Sequence, residues 1–118
     1  MKRLGLSILM TACYHSKQYI TADAIEADYI APYFGRMEEA GLDAYDHMSL
    51  MKDLEKHSTN QCKILVASIR SLEQMMTLAA QGHVYFTISP RIAEELMNDG
   101  FTIKAVREFN EAALRVEV

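Results

Sequence analysis

What this sequence lacks narrows it before any motif is read. No apolar run approaches the roughly 20 residues that a membrane-spanning helix needs, so no membrane partner is expected. The basic N-terminus, Met1 to Gly5, precedes a short apolar run, but that run breaks at Thr11 without a small-residue cleavage pattern. The chain reads as cytoplasmic. Net charge is −4, and the six lysines and six arginines are dispersed, which excludes the clustered basic face of a nucleic-acid binder. There are only two cysteines, Cys13 and Cys62, with no Cys-x-x-Cys pair, and they read as free thiols in a reducing compartment. The four histidines show no metal-ligand spacing; Cys13 and His15, two apart, are a weak exception, and no metal is expected. Neither phosphate-binding glycine loop occurs, and no strand-like run ends in the aspartate that a phosphorylation receiver needs. No repeat, low-complexity tract or Pro/Ser-rich linker divides the chain, so its 118 residues are expected to form a single domain, 1–118.

What is present alternates. Leu6 to Ala12 is an apolar run of strand length, expected to be buried on both faces as in a parallel sheet. Ser16 to Ile25 has helical composition, with Ile20 and Ala24 as its apolar pair. Tyr29 to Tyr33 reads as a second strand, with Pro32 near its end because proline cannot donate to a ladder. Gly35 to Gly41 reads as a loop carrying Arg36, Glu38 and Glu39. A helix over 43–57, with Leu50 and Leu54 four apart and Met48 and Met51 beside them, leads to the cleanest strand, Lys63 to Ser68. The eight methionines read as adaptable core packing.

Ser71 and Gln74 form a capping-box pattern opening a helix whose buried face is expected to be Leu72, Met75, Met76 and Ala79, closed by Gly82. Val84 to Ile88 is a β-branched and aromatic strand. Ser89 and Pro90 open a helix to about Asn98. Thr102 is expected to cap a last helix, 102–114, with Ile103, Val106, Phe109 and Ala113 on its apolar side as an oligomerisation element.

The fold class is therefore α/β: four strand–helix units plus a C-terminal helix around a parallel sheet. Two architectures fit. One is a small flavodoxin-like open sheet with helices on both faces. The other is half of an eight-unit barrel, whose whole takes about 250 residues. In both, ligands gather at the carboxyl ends of the strands, which here offer Thr11, Tyr33 with Arg36, Ser68 and Ser89. Hydroxyls and one guanidinium suit a phosphate or another oxyanion. Each also has a plain structural reading. Arg36 would pair with Glu38 or Glu39 on a solvated loop, Tyr33 would be buried with a partner for its hydroxyl, and Thr11 and Ser68 would be β-formers or caps.

Several segments together carry a resemblance: Leu9 to Tyr14, Gln18, Tyr29-Ile30-Ala31-Pro32-Tyr33 with Arg36, and Lys63-Ile64-Leu65-Val66-Ala67-Ser68, with Ile88-Ser89-Pro90 fitting as well. In these the chain resembles the transaldolase family, most closely its fructose-6-phosphate aldolase-like branch, and matches only the C-terminal half of that family's TIM barrel. The resemblance implies that Arg36 and Ser68 hold a substrate phosphate. It implies that Thr11 and Tyr33 position a catalytic water and manage proton transfer. The implied chemistry is aldol cleavage or transfer on a ketose phosphate through a lysine Schiff base, with no cofactor.

The family's Schiff-base lysine lies on a strand that these residues do not match, so the chain alone is expected to be inactive. Lys63 reads as lying at the start of its strand on the wrong barrel face; Lys17, Lys52, Lys56 and Lys104 read as helix surface and Lys2 as terminus. Unpaired strand edges imply self-association or a chain supplying the N-terminal half-barrel. The alternatives are a non-catalytic sugar-phosphate-binding or assembly module, or an unrelated flavodoxin-like domain.

Overall fold

The structure is a computed structural model. It describes residues 5–117, with side chains through residue 114, so the N-terminal basic residues and Lys2 lie outside the described residues. The chain divides into two compact units, one running to Ile88 and one from Ser89 onward.

The first unit contains β1 (Leu9–Cys13), α1 (Gln18–Ala24), β2 (Tyr29–Pro32), α2 (Phe34–Glu39), α3 (Ala44–Lys56), β3 (Lys63–Val66), α4 (Leu72–Ala80) and β4 (Tyr85–Phe86). The strands form one sheet in the order β1-β2-β3-β4, every neighbouring pair parallel. Chain order equals spatial order, so the sheet has no switch point of the flavodoxin-like kind. Successive crossovers of one hand place their helices on one face, and α1 and α3 pack on β2 and β3. This is an α/β fold consistent with half of a TIM barrel.

The two sheet faces differ accordingly. Ile30, Pro32, Ile64 and Val66 are buried on the helix side, with Phe34, Met37, Met48, Met51 and Leu78 supplied by the helices. Tyr19 also belongs to this core: its hydroxyl donates to the Cys62 carbonyl at 2.6 Å, and burial pushes the phenol up to about 12. Leu9, Tyr29, Leu65 and Tyr85 share the other face through the register Leu9↔Tyr29 and Leu65↔Tyr85, and Leu9 and Tyr85 remain 51% and 39% exposed.

Several expectations change here. The first strand starts at Leu9 rather than Leu6 and is exposed along most of its length, because it is an outer strand. Residues 34–39 are helix, not loop. The α2 N–H groups of Phe34, Gly35 and Arg36 are taken by Ala67 O, Ser68 O and Ser68 Oγ, a tertiary cap that local propensity does not reveal. Gly41, at φ +79°, follows its end.

The inward residues of the helices are also different. In α1 they are Tyr19 and Ala22 rather than Ile20, which is 61% exposed. In α3 they are Ala44 with Met48 and Met51, the two methionines expected beside the leucine pair, while Leu50 is outward. In α4 only Leu78 is fully buried, and Met76 faces solvent. Ser71 caps α4 by accepting from Gln74 N–H, but Gln74 Oε1 accepts from Arg70 N–H rather than from the cap residue. The fourth strand is trimmed to Tyr85–Phe86.

The second unit contains α5 (Pro90–Met97), opened by Ser89 and Pro90, and α6 (Gly100–Glu117). The α6 cap is Asp99, whose carboxylate accepts from Thr102 N–H at 2.9 Å, so Thr102 is the residue capped and not the cap. That bond holds the Asp99 carboxyl below its usual range.

Candidate functional site

The carboxyl ends of β1, β2 and β3 meet in a compact mouth. Two residues there, Ala12 and Ser68, adopt left-handed backbone at φ 55° and 61°, a conformation costing a side-chain-bearing residue about 1–2 kcal/mol. At Ser68 the surroundings compensate. Its carbonyl accepts from Gly35 N–H at 2.7 Å and its hydroxyl oxygen from Arg36 N–H at 3.2 Å. Position 35 must be glycine for this approach: a Cβ there would lie 2.2 Å from Ser68 O and 2.7 Å from Arg70 Cγ. The Gly35-Arg36 dipeptide is therefore locked onto the end of β3, and the capping role read for Ser68 is realised.

Thr11 Oγ1 and Tyr33 Oη are 2.7 Å apart, one hydroxyl donating to the other. The Arg36 guanidinium stands over the Tyr33 ring, its Cζ 5.5 Å from the centroid. The Tyr14 ring lies 6.0 Å from that of Tyr33, and the Tyr14 hydroxyl is the main reason the Arg36 guanidinium is held even more firmly protonated than usual. The loop acids that would have neutralised Arg36 are engaged elsewhere. Glu38 accepts from Gln74 Nε2 at 2.7 Å and Glu39 from Arg70 Nε at 3.1 Å. Thr11, Tyr33, Arg36 and Ser68 are thus brought to one place, while Ser89 caps α5 by accepting from Ile92 N–H.

Sequence reasoning passed over Tyr14 and Arg70 as site residues. Tyr14 is fixed by Gln18, whose Oε1 accepts from both Tyr14 N–H (2.8 Å) and His15 N–H (3.0 Å). The usable signal was the spacing of Thr11, Tyr14 and Gln18 along one strand-to-helix turn. Arg70, two residues past Ser68, has its stem over Gly35.

The Cys13–His15 pair has little ligand character. Cys13 is buried, its sulfur lies against the Met10 and Thr11 carbonyls, and burial pushes its thiol up and away from the thiolate form that binds metal. Among the described residues no group of three or more His, Cys, Asp or Glu is placed to hold a metal ion. No helix among them is long and apolar enough to cross a membrane.

The opposite end of the sheet is built differently. A cavity of about 380 Å³ is lined by Ser7, Glu26, Asp28, Tyr29, Asn60 and Lys63 among others, and one of about 340 Å³ by Lys52, Glu55, Val84 and Tyr85. Gln61 and Lys63 belong to both. The Lys63 amine stands 5.8 and 5.7 Å over the Tyr29 and Tyr85 rings. Lys63 therefore lies on the same sheet face as Tyr29 and Tyr85, at the start of β3 as expected. Its end of the sheet remains the other one: Tyr29 and Tyr33 are four residues apart, roughly 13 Å along a strand. Of the remaining described lysines, Lys17 precedes α1, Lys52 and Lys56 sit on α3 beside Glu55 and Asp53, and Lys104 is on α6.

The mouth can bind an oxyanion through Arg36, and the paired hydroxyls of Thr11 and Tyr33 can orient a water and pass a proton. An amine nucleophile is not among the residues that form it.

The family model described as Transaldolase/Fructose-6-phosphate aldolase matches residues 1–118. Among curated proteins, the chain is similar to a "Probable transaldolase" of Bartonella henselae, 28% identical over 107 residues that cover 91% of this chain and 49% of that protein. It is likewise similar to a "Probable transaldolase" of Paracoccus denitrificans, 27% identical and covering 90% and 49%. A third, from a Caulobacter species, is 29% identical and covers 89% and 48%. The chain spans about half the length of the curated relatives it matches.

Proposed function

Because the chain belongs to the Transaldolase/Fructose-6-phosphate aldolase family, we propose that it is the phosphate-holding half of a Schiff-base aldolase or transaldolase acting on ketose phosphates. In this reading Arg36 and Ser68 take the substrate phosphate. Ser68 accepts from Arg36 N–H, which leaves its own hydroxyl proton to donate to a phosphate oxygen. Thr11 and Tyr33 act on the water of the reaction. A lysine amine adds to the ketose carbonyl, and the carbinolamine must lose hydroxide as water to become the iminium. The hydroxyl pair supplies the proton relay for that loss. The iminium then draws in the electron pair of the breaking C3–C4 bond. The observation that carries this reading is the 2.7 Å Thr11–Tyr33 contact beside the Arg36 guanidinium, which rests over the Tyr33 ring while the loop acids Glu38 and Glu39 are bonded to Gln74 and Arg70.

The nucleophile comes, in this proposal, from strands that pack on the open sheet face beside Leu9 and Tyr85 and complete the barrel. The exposed apolar residues of α6, Ile103, Val106 and Phe109, support a role for that helix in contact with another chain. A second reading, a non-catalytic sugar-phosphate-binding or assembly module, is favoured by one observation: no described lysine belongs to the mouth.

Borohydride trapping separates the two. The chain, alone and with a lysine-bearing half-barrel, is incubated with a ketose phosphate, reduced and weighed intact. The aldolase reading predicts a covalent adduct on the partner's lysine in the complex. Absence of any adduct in both samples would leave only the binding module.

A further inference from the structure

The mouth contains an aromatic residue that the functional reading has not used. Tyr14 follows β1 directly, and its backbone is fixed by the Gln18 amide oxygen, which also takes the next N–H. Its ring is 6.0 Å from that of Tyr33, tilted by 48°. The Arg36 guanidinium lies over the Tyr33 ring at 5.5 Å, and the neighbouring Tyr14 hydroxyl favours its charged form. The backbone of Arg36 is tied down separately by Ser68. An arginine side chain on the surface samples many rotamers, and ordering it on binding costs about 1–2 kcal/mol of conformational entropy. Here the guanidinium already rests on the Tyr33 ring and the backbone is held by Ser68, although Arg36 is solvent-exposed. A guanidinium has five N–H donors, so a hydrogen bond to one phenol leaves donors for a bidentate contact with a phosphate.

We propose that Tyr14 is a positioning residue for anion capture: with the Tyr33 ring it holds the Arg36 guanidinium in place beside Ser68 before the phosphate arrives. The proposal rests on the assignment of Arg36 and Ser68 as the phosphate site and extends it to a third side chain. Tyr14 is not a catalytic residue in this account, because it acts only through Arg36. Gln18 stands one step further back, since it fixes the backbone that carries the phenol.

The test is a titration of the chain with inorganic phosphate, following the Arg36 side-chain N–H signals by NMR, for the native protein, Tyr14→Phe, Arg36→Lys and the double variant. Tyr14→Phe keeps the ring and removes the hydroxyl. It is expected to weaken phosphate binding about fivefold, to increase the mobility of the Arg36 guanidinium in the unliganded protein, and to leave the thermal midpoint unchanged. In the Arg36→Lys background the same substitution is expected to have no effect, because a lysine offers no fork for the phenol to orient. Equal phosphate affinity for the native protein and Tyr14→Phe overturns the proposal while the phosphate site itself stands. A fivefold loss that persists in the Arg36→Lys background also overturns it, since Tyr14 would then act independently of the arginine. Failure of the native protein to bind phosphate overturns the site assignment and this proposal together.

Discussion

The two ends of the sheet contrast in a way that bears on how a site is recognised. At the amino ends of the strands lie cavities of about 380 and 340 Å³ around Lys63 and Gln61. Their side chains mix acids, amides and lysines, and the one conspicuous group, the Lys63 amine, is held over two tyrosine rings. At the carboxyl ends the surface is built of specific contacts: Thr11 to Tyr33, Arg36 over the Tyr33 ring, and Ser68 to the start of α2. Concavity marks one end and convergent chemistry marks the other. In an open sheet consistent with half of a barrel this is reasonable, because a mouth walled on one side has little depth, while its polar groups are already arranged.

The contrast is broken most severely at Gly35. A methyl group there would collide with the Ser68 carbonyl and the Arg70 stem, so α2 must lift from β3. Gly35→Ala is expected to cost on the order of 3 kcal/mol or more and to abolish phosphate binding. Chemical denaturation reads the first and NMR the second, and the Lys63 signals are expected to keep their native shifts. The opposite end has its own signature, in pH. His83 lies just before β4, is 2% exposed, and donates from Nε2 to the Met48 carbonyl at 3.0 Å. Burial pushes its imidazole down to about 4 from 6.5. Between those values the unfolded chain binds the extra proton and the folded chain does not. Stability is therefore full above pH 6.5 and falls as pH drops toward 4, by up to about 3 kcal/mol. Thermal midpoints across that range measure it, and the His83-dependent part of the slope is expected to vanish in His83→Leu.

Much of the fold was readable because local chemistry decided it. Ser71 with Gln74, Ser89 with Pro90, and Gly82 after α4 set helix ends that the structure retains. The β2 and β3 segments were likewise visible as apolar runs, with Pro32 at the end of β2. Burial was less readable. Ile20, Leu50 and Met76 carry apolar side chains at helical spacing, yet they lie outside the narrow contact each helix makes with a sheet covered on one side. The α2 helix was hidden because its cap comes from β3, more than 30 residues away in the chain. Within the mouth, Thr11, Tyr33, Arg36 and Ser68 could be found from sequence because they fall at or just past the ends of strand-like runs. Tyr14 had only its spacing from Thr11 and Gln18 as a signal, and Arg70 had none, since the left-handed turn at Ser68 before it is not hinted at by a serine.

The central claim is that phosphate binds at the carboxyl ends of the strands through Arg36, and not in the cavities around Lys63. A phosphate titration followed by backbone and side-chain NMR, on the native chain, Arg36→Ala and Lys63→Met, tests it directly. The account predicts shift changes at Tyr14, Arg36 and Ser68, a loss of at least about tenfold in affinity for Arg36→Ala, and native affinity for Lys63→Met. Shift changes centred on Gln61 and Lys63, with affinity lost in Lys63→Met and kept in Arg36→Ala, would contradict it.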